Sequence, residues 1–92
     1  MRLEFSVSAV RDLTRLREFI AVHNPKAAER ISLRLRQAIA KLVLNPDIGR
    51  PLSEVENIRE LVVGDYAVRY LRLEEVIKVL RIWHGKEFRD LE

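Results

Sequence analysis

The chain has 92 residues, a formal net charge of +3 and no cysteine, so its length suits one domain with a single small core. Hydrophobic residues make up 48% and charged residues 34%, a balance typical of globular rather than disordered chains. Without cysteine, neither a disulfide framework nor a cysteine-based zinc site can form. Apolar runs are too short to span a membrane and no secretory signal pattern is present, so we expect a cytoplasmic protein without membrane contact.

Arginine dominates the basic residues, with thirteen of the 17, and its planar side chain pairs bidentately with carboxylate and phosphate groups. This excess fits an anionic partner, either nucleic acid or an acidic protein segment, although a GC-rich genome gives the same bias. The segment 26–41 holds five bases and one acid, so its local excess is larger than that of the whole chain. The first expectation is therefore an acidic protein partner on this segment.

The first half of the chain reads as one strand and two helices. Residues 2–7 alternate polar and apolar side chains and predict a half-buried strand. Ser8 is the expected N-cap of a first helix over 9–22, whose apolar residues recur at helical spacing. Asn24 and Pro25 then predict the cap and first position of a second helix that reaches residue 44. Such a short connection predicts an antiparallel helical hairpin spanning 9–44.

The second half reads as a loop followed by three strands. Residues 45–57 contain turn-forming residues and are predicted to be loop. Strand-like runs then cover 58–63, 66–73 and 76–84, and their short turns require an antiparallel meander over 58–84. A short charged tail, 86–92, ends the chain.

The element order β-α-α-β-β-β predicts an α+β fold, in which an antiparallel sheet packs on the N-terminal helical hairpin within one domain, 1–92. The first strand is expected to join the sheet, and the last strand to lie centrally, because both of its faces are partly apolar. Strict alternation places Arg81 on the face of Ile77 and Val79. A charge within an apolar strand needs a counter-charge, either Glu60 or a target phosphate, and we favour an internal pair.

Standard catalytic and ligand-binding patterns are absent from the sequence. The chain has two histidines, His23 and His84, with neither an HExxH motif nor a phosphate-binding glycine loop, so no metal and no cofactor is expected. His84, beside Trp83 at a strand end, is either a proton carrier or a histidine bonded to nearby backbone.

Five short motifs occur in a fixed order and together resemble the RelE/ParE superfamily of type II toxin–antitoxin toxins, more closely its ParE branch. The resemblance covers about residues 3–86. Each motif alone is weak, whereas the ordered set, with matching length and element order, is specific. The motifs are Asn24-Pro25-x-Ala27-Ala28, Pro46-x-x-Gly49-Arg50-Pro51, Arg59-Glu60-Leu61-Val62-Val63-Gly64-x-Tyr66, Tyr70 with Arg72, and Ile82-x-His84-Gly85.

The resemblance implies a toxin that is held inactive by a cognate antitoxin in a hetero-oligomer. In such pairs the C-terminal segment of the antitoxin wraps the toxin, typically along the helical hairpin and across the sheet. The strongly basic second helix suits an acidic segment that folds on binding. The candidate antitoxin-binding residues are Arg30, Arg34, Arg36 and Lys41.

Two targets are open, because ParE-like toxins resemble inhibitors of DNA gyrase and RelE-like toxins resemble ribosome-dependent ribonucleases that cut messenger RNA. The ribonuclease pattern is incomplete here: Ala67 and Glu87 stand where arginines are expected, and no tyrosine follows Tyr70. We therefore expect an inhibitor that acts by binding rather than an enzyme. If the chain were a ribonuclease, the candidate catalytic residues would be Arg59, Arg81, His84 and Lys86. The candidate target-binding residues are Arg50, Arg59, Tyr70, Arg72, Arg81, His84 and Lys86.

Overall fold

The computed structural model describes residues 1–52 and 54–85. Two helices, α1 (Val7–His23) and α2 (Pro25–Ala40), pack on a five-stranded mixed sheet of order β1-β5-β4-β3-β2, and a 3-10 turn, Lys41–Val43, follows α2. The α+β class and the helical hairpin are therefore confirmed. The predicted tail, 86–92, lies outside the described residues. The strands are β1 (Arg2–Phe5), β2 (Arg50–Pro51), β3 (Ile58–Val63), β4 (Tyr66–Arg72) and β5 (Val76–His84).

Asn24 joins the two helices as predicted. Its backbone N–H donates to the carbonyl of Ile20 at 2.8 Å and so closes α1. Its side-chain Oδ1 accepts from the N–H of Ala27 at 3.1 Å and so caps α2. Pro25 occupies the first turn, where its missing N–H costs no hydrogen bond. One residue therefore serves both helix ends, which fixes the hairpin tightly.

The first helix begins earlier than predicted, because Ser6 and not Ser8 is its N-cap. The Ser6 Oγ accepts from the N–H of Ala9 at 2.9 Å and donates to the carbonyl of Leu80 at 2.8 Å. The strand accordingly ends at Phe5, and Val7 lies on the helix with 68% of its surface exposed. Val7 continues the polar–apolar alternation of the strand by coincidence, so this alternation alone places the strand end at residue 7 instead of Phe5.

The sheet differs from the prediction at both edges. The first strand joins it as expected, but β1 pairs with β5 in parallel, from Arg2 opposite Val76 to Phe5 opposite Val79, so the sheet is mixed. No short turn connects these two strands, so the sequence could not fix their relative direction. The opposite edge carries β2, predicted to be loop, which pairs with β3 through Arg50 opposite Glu60. A two-residue strand is too short to show a periodicity.

The core lies between the helices and one sheet face. Apolar residues from α1, α2 and the 3-10 turn meet residues from β3, β4 and β5 in one cluster. Each Val, Leu or Ile side chain of this cluster contributes about 1.5–3 kcal/mol when it is fully buried. The most deeply buried large members are Tyr70, Ile39, Leu42, Ile77, Ile82, Val68 and Val79.

An irregularity in β5 overturns the predicted alternation. Arg69 lies opposite Arg81, but the next residue, Tyr70, lies opposite Val79, so Leu80 has no counterpart on β4. This extra residue shifts the phase of the strand, because two residues of β5 occupy the place of one. Ile82 therefore follows Val79 into the core, and the prediction that Arg81 shares the face of Val79 is wrong.

Candidate functional site

A groove runs between α2 and the β3–β4 hairpin. Two adjoining cavities of about 270 Å³ each form it, and they share Arg34, Val63 and Gly64 as lining residues. Gly64 has a φ of +61° in the hairpin turn, and a Cβ built there would lie 3.0 Å from the Arg34 Nη1. The glycine thus permits the turn and leaves space for the guanidinium above it. We call this feature the α2–β3 groove.

Three of the four predicted antitoxin-binding residues line this groove. Arg30 and Arg34 lie one helical turn apart on α2, and Lys41 follows in the 3-10 turn. All three are exposed, and no carboxylate within residues 1–52 and 54–85 pairs with them. Among the described residues, Asp65 is the one acid in the lining of the two cavities. The groove therefore has a net positive charge that an acidic segment would complement.

Arg36 lies on the opposite flank of α2. Its Nε donates to the carbonyl of Ser32 at 3.4 Å, and it lines a separate cavity of about 240 Å³ between the helices, together with Arg17. The predicted basic set is thus divided between two surfaces, because two positions along a helix turn a side chain by about 200°.

The floor of the α2–β3 groove is apolar and partly exposed to solvent. Ile48 is 54% exposed and lines the cavity that holds Lys41, together with Leu61 and Val63 from the core-facing side of β3. Apolar side chains beside exposed cations are a typical composition for a peptide-binding surface.

Tyr70 holds the turn formed by residues 46–49. Its ring is fully buried, its hydroxyl donates to the carbonyl of Pro46 at 2.7 Å, and it accepts from the N–H of Gly49 at 2.9 Å. A Cβ built on Gly49 would lie 2.6 Å from this hydroxyl, so only glycine allows the close approach. Burial raises the pKa of Tyr70, partly opposed by the Gly49 N–H, so the hydroxyl remains a donor at neutral pH.

Two arginines, Arg59 and Arg72, complete this arrangement. We call Tyr70, the two arginines and the turn 46–49, which includes Asp47, the Tyr70 clasp. The Arg59 Nη1 donates to the carbonyls of Gly49 at 2.7 Å and of Asp47 at 3.0 Å. The Arg72 Nε lies 3.0 Å from the Asp47 Oδ1. The structure thus brings together three predicted target-binding residues, but each bonds the chain's own turn. Tyr70 is buried, whereas a tyrosine that contacts a target must be exposed.

The cavity beside the clasp has a different charge balance from the α2–β3 groove. Its volume is about 390 Å³, and its charged lining residues within 1–52 and 54–85 are Arg59, Arg72, Asp47 and Glu56. Two cations and two anions cancel formally, so this cavity offers little net attraction to an anion.

Arg81 is paired inside the protein, as favoured, but with Asp12 rather than Glu60. Its Nε donates to the Asp12 Oδ2 at 2.8 Å, and the same oxygen accepts from the N–H of Ile82 at 2.9 Å. The Arg15 Nη2 donates to Oδ1 at 3.1 Å. Burial raises the pKa of Asp12, but these hydrogen bonds and the Arg81 charge outweigh that effect, so the pKa lies below its ordinary value.

Sequence reasoning missed Asp12 because it lies among polar residues of α1 that were expected to face solvent. Asp12 is only 4% exposed, since α1 continues beside β5 beyond the end of β1. The carboxylate there accepts from the Ile82 N–H, which no β1 residue can reach. β5 extends beyond the end of β1, so some of its backbone N–H groups need another acceptor. A strand that is longer than its edge neighbour is the signal that would have indicated a residue such as Asp12.

The remaining candidates are spread over the sheet. Glu60 accepts from the Arg69 Nη2 at 3.1 Å, and the Arg69 guanidinium lies 4.9 Å from the centre of the Trp83 ring. His84 meets Tyr66 edge-to-face at 5.1 Å between ring centres. Arg50 is exposed on β2. Lys86 lies outside the described residues.

Metal binding and membrane insertion find no support in the part of the chain that is described. Residues 1–52 and 54–85 contain no group of three or more His, Cys, Asp or Glu placed to hold a metal ion. Over the same residues, neither helix has the length and apolarity needed to cross a bilayer.

Relatives with this fold are toxins. A family model described as the ParE toxin of the type II toxin–antitoxin system parDE matches residues 3–88. Toxin RelE2 of Caulobacter vibrioides is 38% identical over 78 residues, covering 84% of this chain and 86% of that protein. Toxin RelE1 of the same species is 35% identical over 86 residues, covering 91% and 92%.

A solved toxin–antitoxin structure has the same fold as this chain. A chain of the chromosomal ParDE system from P. aeruginosa matches with a TM-score of 0.78 and 26% identity, covering 91% of this chain and 95% of that one. The chain therefore belongs to the ParE toxin family, within the RelE/ParE superfamily of type II toxin–antitoxin toxins.

Proposed function

We propose that this toxin acts by binding DNA gyrase and that an antitoxin neutralises it. The observation that carries the choice of target is the state of the arginines on β3, β4 and β5. Each of the four forms an ion pair within the chain: Arg59 and Arg72 with Asp47, Arg69 with Glu60, and Arg81 with Asp12. A ribonuclease needs cations directed at the scissile phosphate, where they stabilise developing charge.

The sequence departures add to this argument. Ala67 and Glu87 replace expected arginines of the ribonuclease pattern, and no tyrosine follows Tyr70. Inhibition by binding needs none of these groups. An inhibitor is therefore the simpler function for a sheet in which the arginines of β3, β4 and β5 already pair with the chain's own carboxylates.

Neutralisation is assigned to the α2–β3 groove. The P. aeruginosa relative is described as part of a ParDE toxin–antitoxin system, which supports an antitoxin partner here. Arg30, Arg34 and Lys41 supply the charge that an acidic C-terminal segment would complement, and Ile48 with Leu61 supplies apolar contact. Both kinds of contact are typical of segments that fold on binding.

A supercoiling assay with purified gyrase tests the target. Excess toxin should block supercoiling and cause cleaved DNA–gyrase complexes to accumulate, and added antitoxin should restore activity. Heat-denatured toxin is the control. Normal supercoiling without cleaved complexes would contradict the gyrase assignment. Growth arrest on expression without antitoxin checks separately that the chain is toxic, because a member that has lost toxicity would still bind its antitoxin.

A RelE-like, ribosome-dependent ribonuclease is the second candidate, and the names of the relatives RelE1 and RelE2 favour it. This function predicts cut transcripts in a translating extract and loss of cutting in His84→Ala. Arg81→Lys is the second variant to test for loss of cutting. It removes the Arg81 guanidinium but keeps a positive charge beside Asp12. Intact transcripts at toxin concentrations that arrest growth would exclude the ribonuclease.

A further inference from the structure

The turn 46–49 forms one end of the α2–β3 groove. Ile48 lines the groove beside Lys41, and it lies between the two backbone groups that bond the Tyr70 hydroxyl. Its own N–H donates to the carbonyl of Asn45 at 3.2 Å. The side chain is thus exposed to solvent while the backbone on either side is tied to the core.

The tie is rigid because Tyr70 belongs to the interior of the sheet. Its strand, β4, has a neighbour on each side, and the ring has no exposed surface. The 2.7 and 2.9 Å hydrogen bonds therefore transmit the position of the sheet directly to the turn. Without the hydroxyl, the Gly49 N–H and the Pro46 carbonyl would lose their partner, and the turn would move to find water.

We infer that Tyr70 is a positioning residue for antitoxin binding: its hydroxyl fixes the turn 46–49 so that Ile48 closes the groove against an apolar side chain of the acidic segment. The occupant is the antitoxin's segment, because the groove's cations, which pair with no carboxylate of the described residues, are complementary to acidic side chains. The inference rests on the proposed function only in requiring that this groove holds the antitoxin.

A double-mutant cycle tests the inference, with the affinity of the full toxin for its cognate antitoxin measured by calorimetry. Tyr70→Phe and Ile48→Ala should each weaken binding, by roughly fivefold to tenfold. If the hydroxyl acts through Ile48, Tyr70→Phe should change affinity by less than about twofold in the Ile48→Ala background. Independent effects that multiply in the double variant would overturn the inference, as would unchanged affinity in Tyr70→Phe.

Two further measurements separate positioning from general loss of structure. Hydrogen exchange at the Gly49 amide should accelerate in Tyr70→Phe, while amides in the centre of α2 stay protected. If Tyr70→Phe fails to fold, Gly49→Ala replaces it in the cycle, because its Cβ would displace the same turn. Unchanged exchange at Gly49 would contradict the role of the hydroxyl.

Failure of this inference differs from failure of the proposed groove. Arg34→Glu reverses a charge in the groove and leaves the clasp intact. Leu33→Ala is the control, because Leu33 is an exposed apolar residue that lines neither cavity of the groove. Weak binding by Arg34→Glu together with an additive cycle would reject only the role of Tyr70. Normal binding by Arg34→Glu would reject the groove itself.

Discussion

The α2–β3 groove and the Tyr70 clasp are both rich in cations, yet they use them differently. In the clasp, Arg59 and Arg72 bond the turn 46–49 and its Asp47. In the groove, Arg30 and Lys41 have no carboxylate partner among the described residues. Arg59 and Arg72 therefore stabilise the fold of the protein, whereas the helix cations, which belong to no motif, are available to bind a partner.

The largest expected effect comes from breaking an internal pair. Asp12→Ala removes the acceptor of Arg81 and Ile82, and it should lower the free energy of unfolding by about 2–3 kcal/mol. This is below the full cost for a buried pair, because the Arg81 side chain is 43% exposed. Urea unfolding measures the loss. A change as small as that of Glu18→Gln, on the exposed side of α1, would contradict the structural role.

The groove should respond in binding and not in stability. Arg34→Glu should weaken antitoxin binding by roughly tenfold, and the difference from wild type should shrink at high salt. Its unfolding midpoint should stay near that of wild type, because Arg34 forms no ion pair within the described residues. Arg17→Glu, outside the groove, is the matched control. Equal weakening by both variants would indicate only non-specific attraction.

Acid should weaken the internal ion pair between Asp12 and Arg81. The folded pKa of Asp12 lies below its unfolded value, so its stabilising contribution is present above the unfolded pKa and is lost as pH falls through the folded pKa. Asp12→Asn should therefore unfold with a shallower dependence on acidic pH than wild type, as followed by circular dichroism. Equal pH slopes in both proteins would show that Asp12 does not couple folding to protonation.

The smallest effect is expected at the rim of the clasp. Arg72→Gln removes the ion pair to Asp47, whose side chain is 61% exposed, and should cost about 0.5 kcal/mol or less. Thermal unfolding measures it, with Arg59→Gln as the comparison. Arg59→Gln should cost more, because it also loses donors to two backbone carbonyls. A reversed order would weaken the description of the clasp.

Local chemistry made the helical hairpin and the meander predictable. Asn24 and Pro25 mark a helix junction in any context, and Gly64 marks a tight turn, so these elements follow from short-range rules. The parallel pairing of β1, the short β2 and the irregularity at Leu80 depend on contacts distant in sequence. No local pattern records them, and register had to be seen in the structure.

The candidate site was predictable in composition but not in allocation. The basic character of α2 could be read directly, whereas its division between Arg34 and Arg36 required the position of β3. Among the arginines of the sheet, Arg81 was predicted to need a partner, and the structure pairs it with Asp12. Which ones bond carboxylates of the chain itself depends on Asp12 and Asp47, whose burial or placement no periodicity reveals.

The parallel pairing of β1 with β5 has a consequence for how the toxin forms. These strands lie at the two ends of the described elements, so during synthesis β1 must wait until β5 has left the ribosome. The helical hairpin and the β3–β4 hairpin are local and can form earlier. The complete sheet therefore arises only near the end of translation, and a chain interrupted before β5 carries no finished toxin fold.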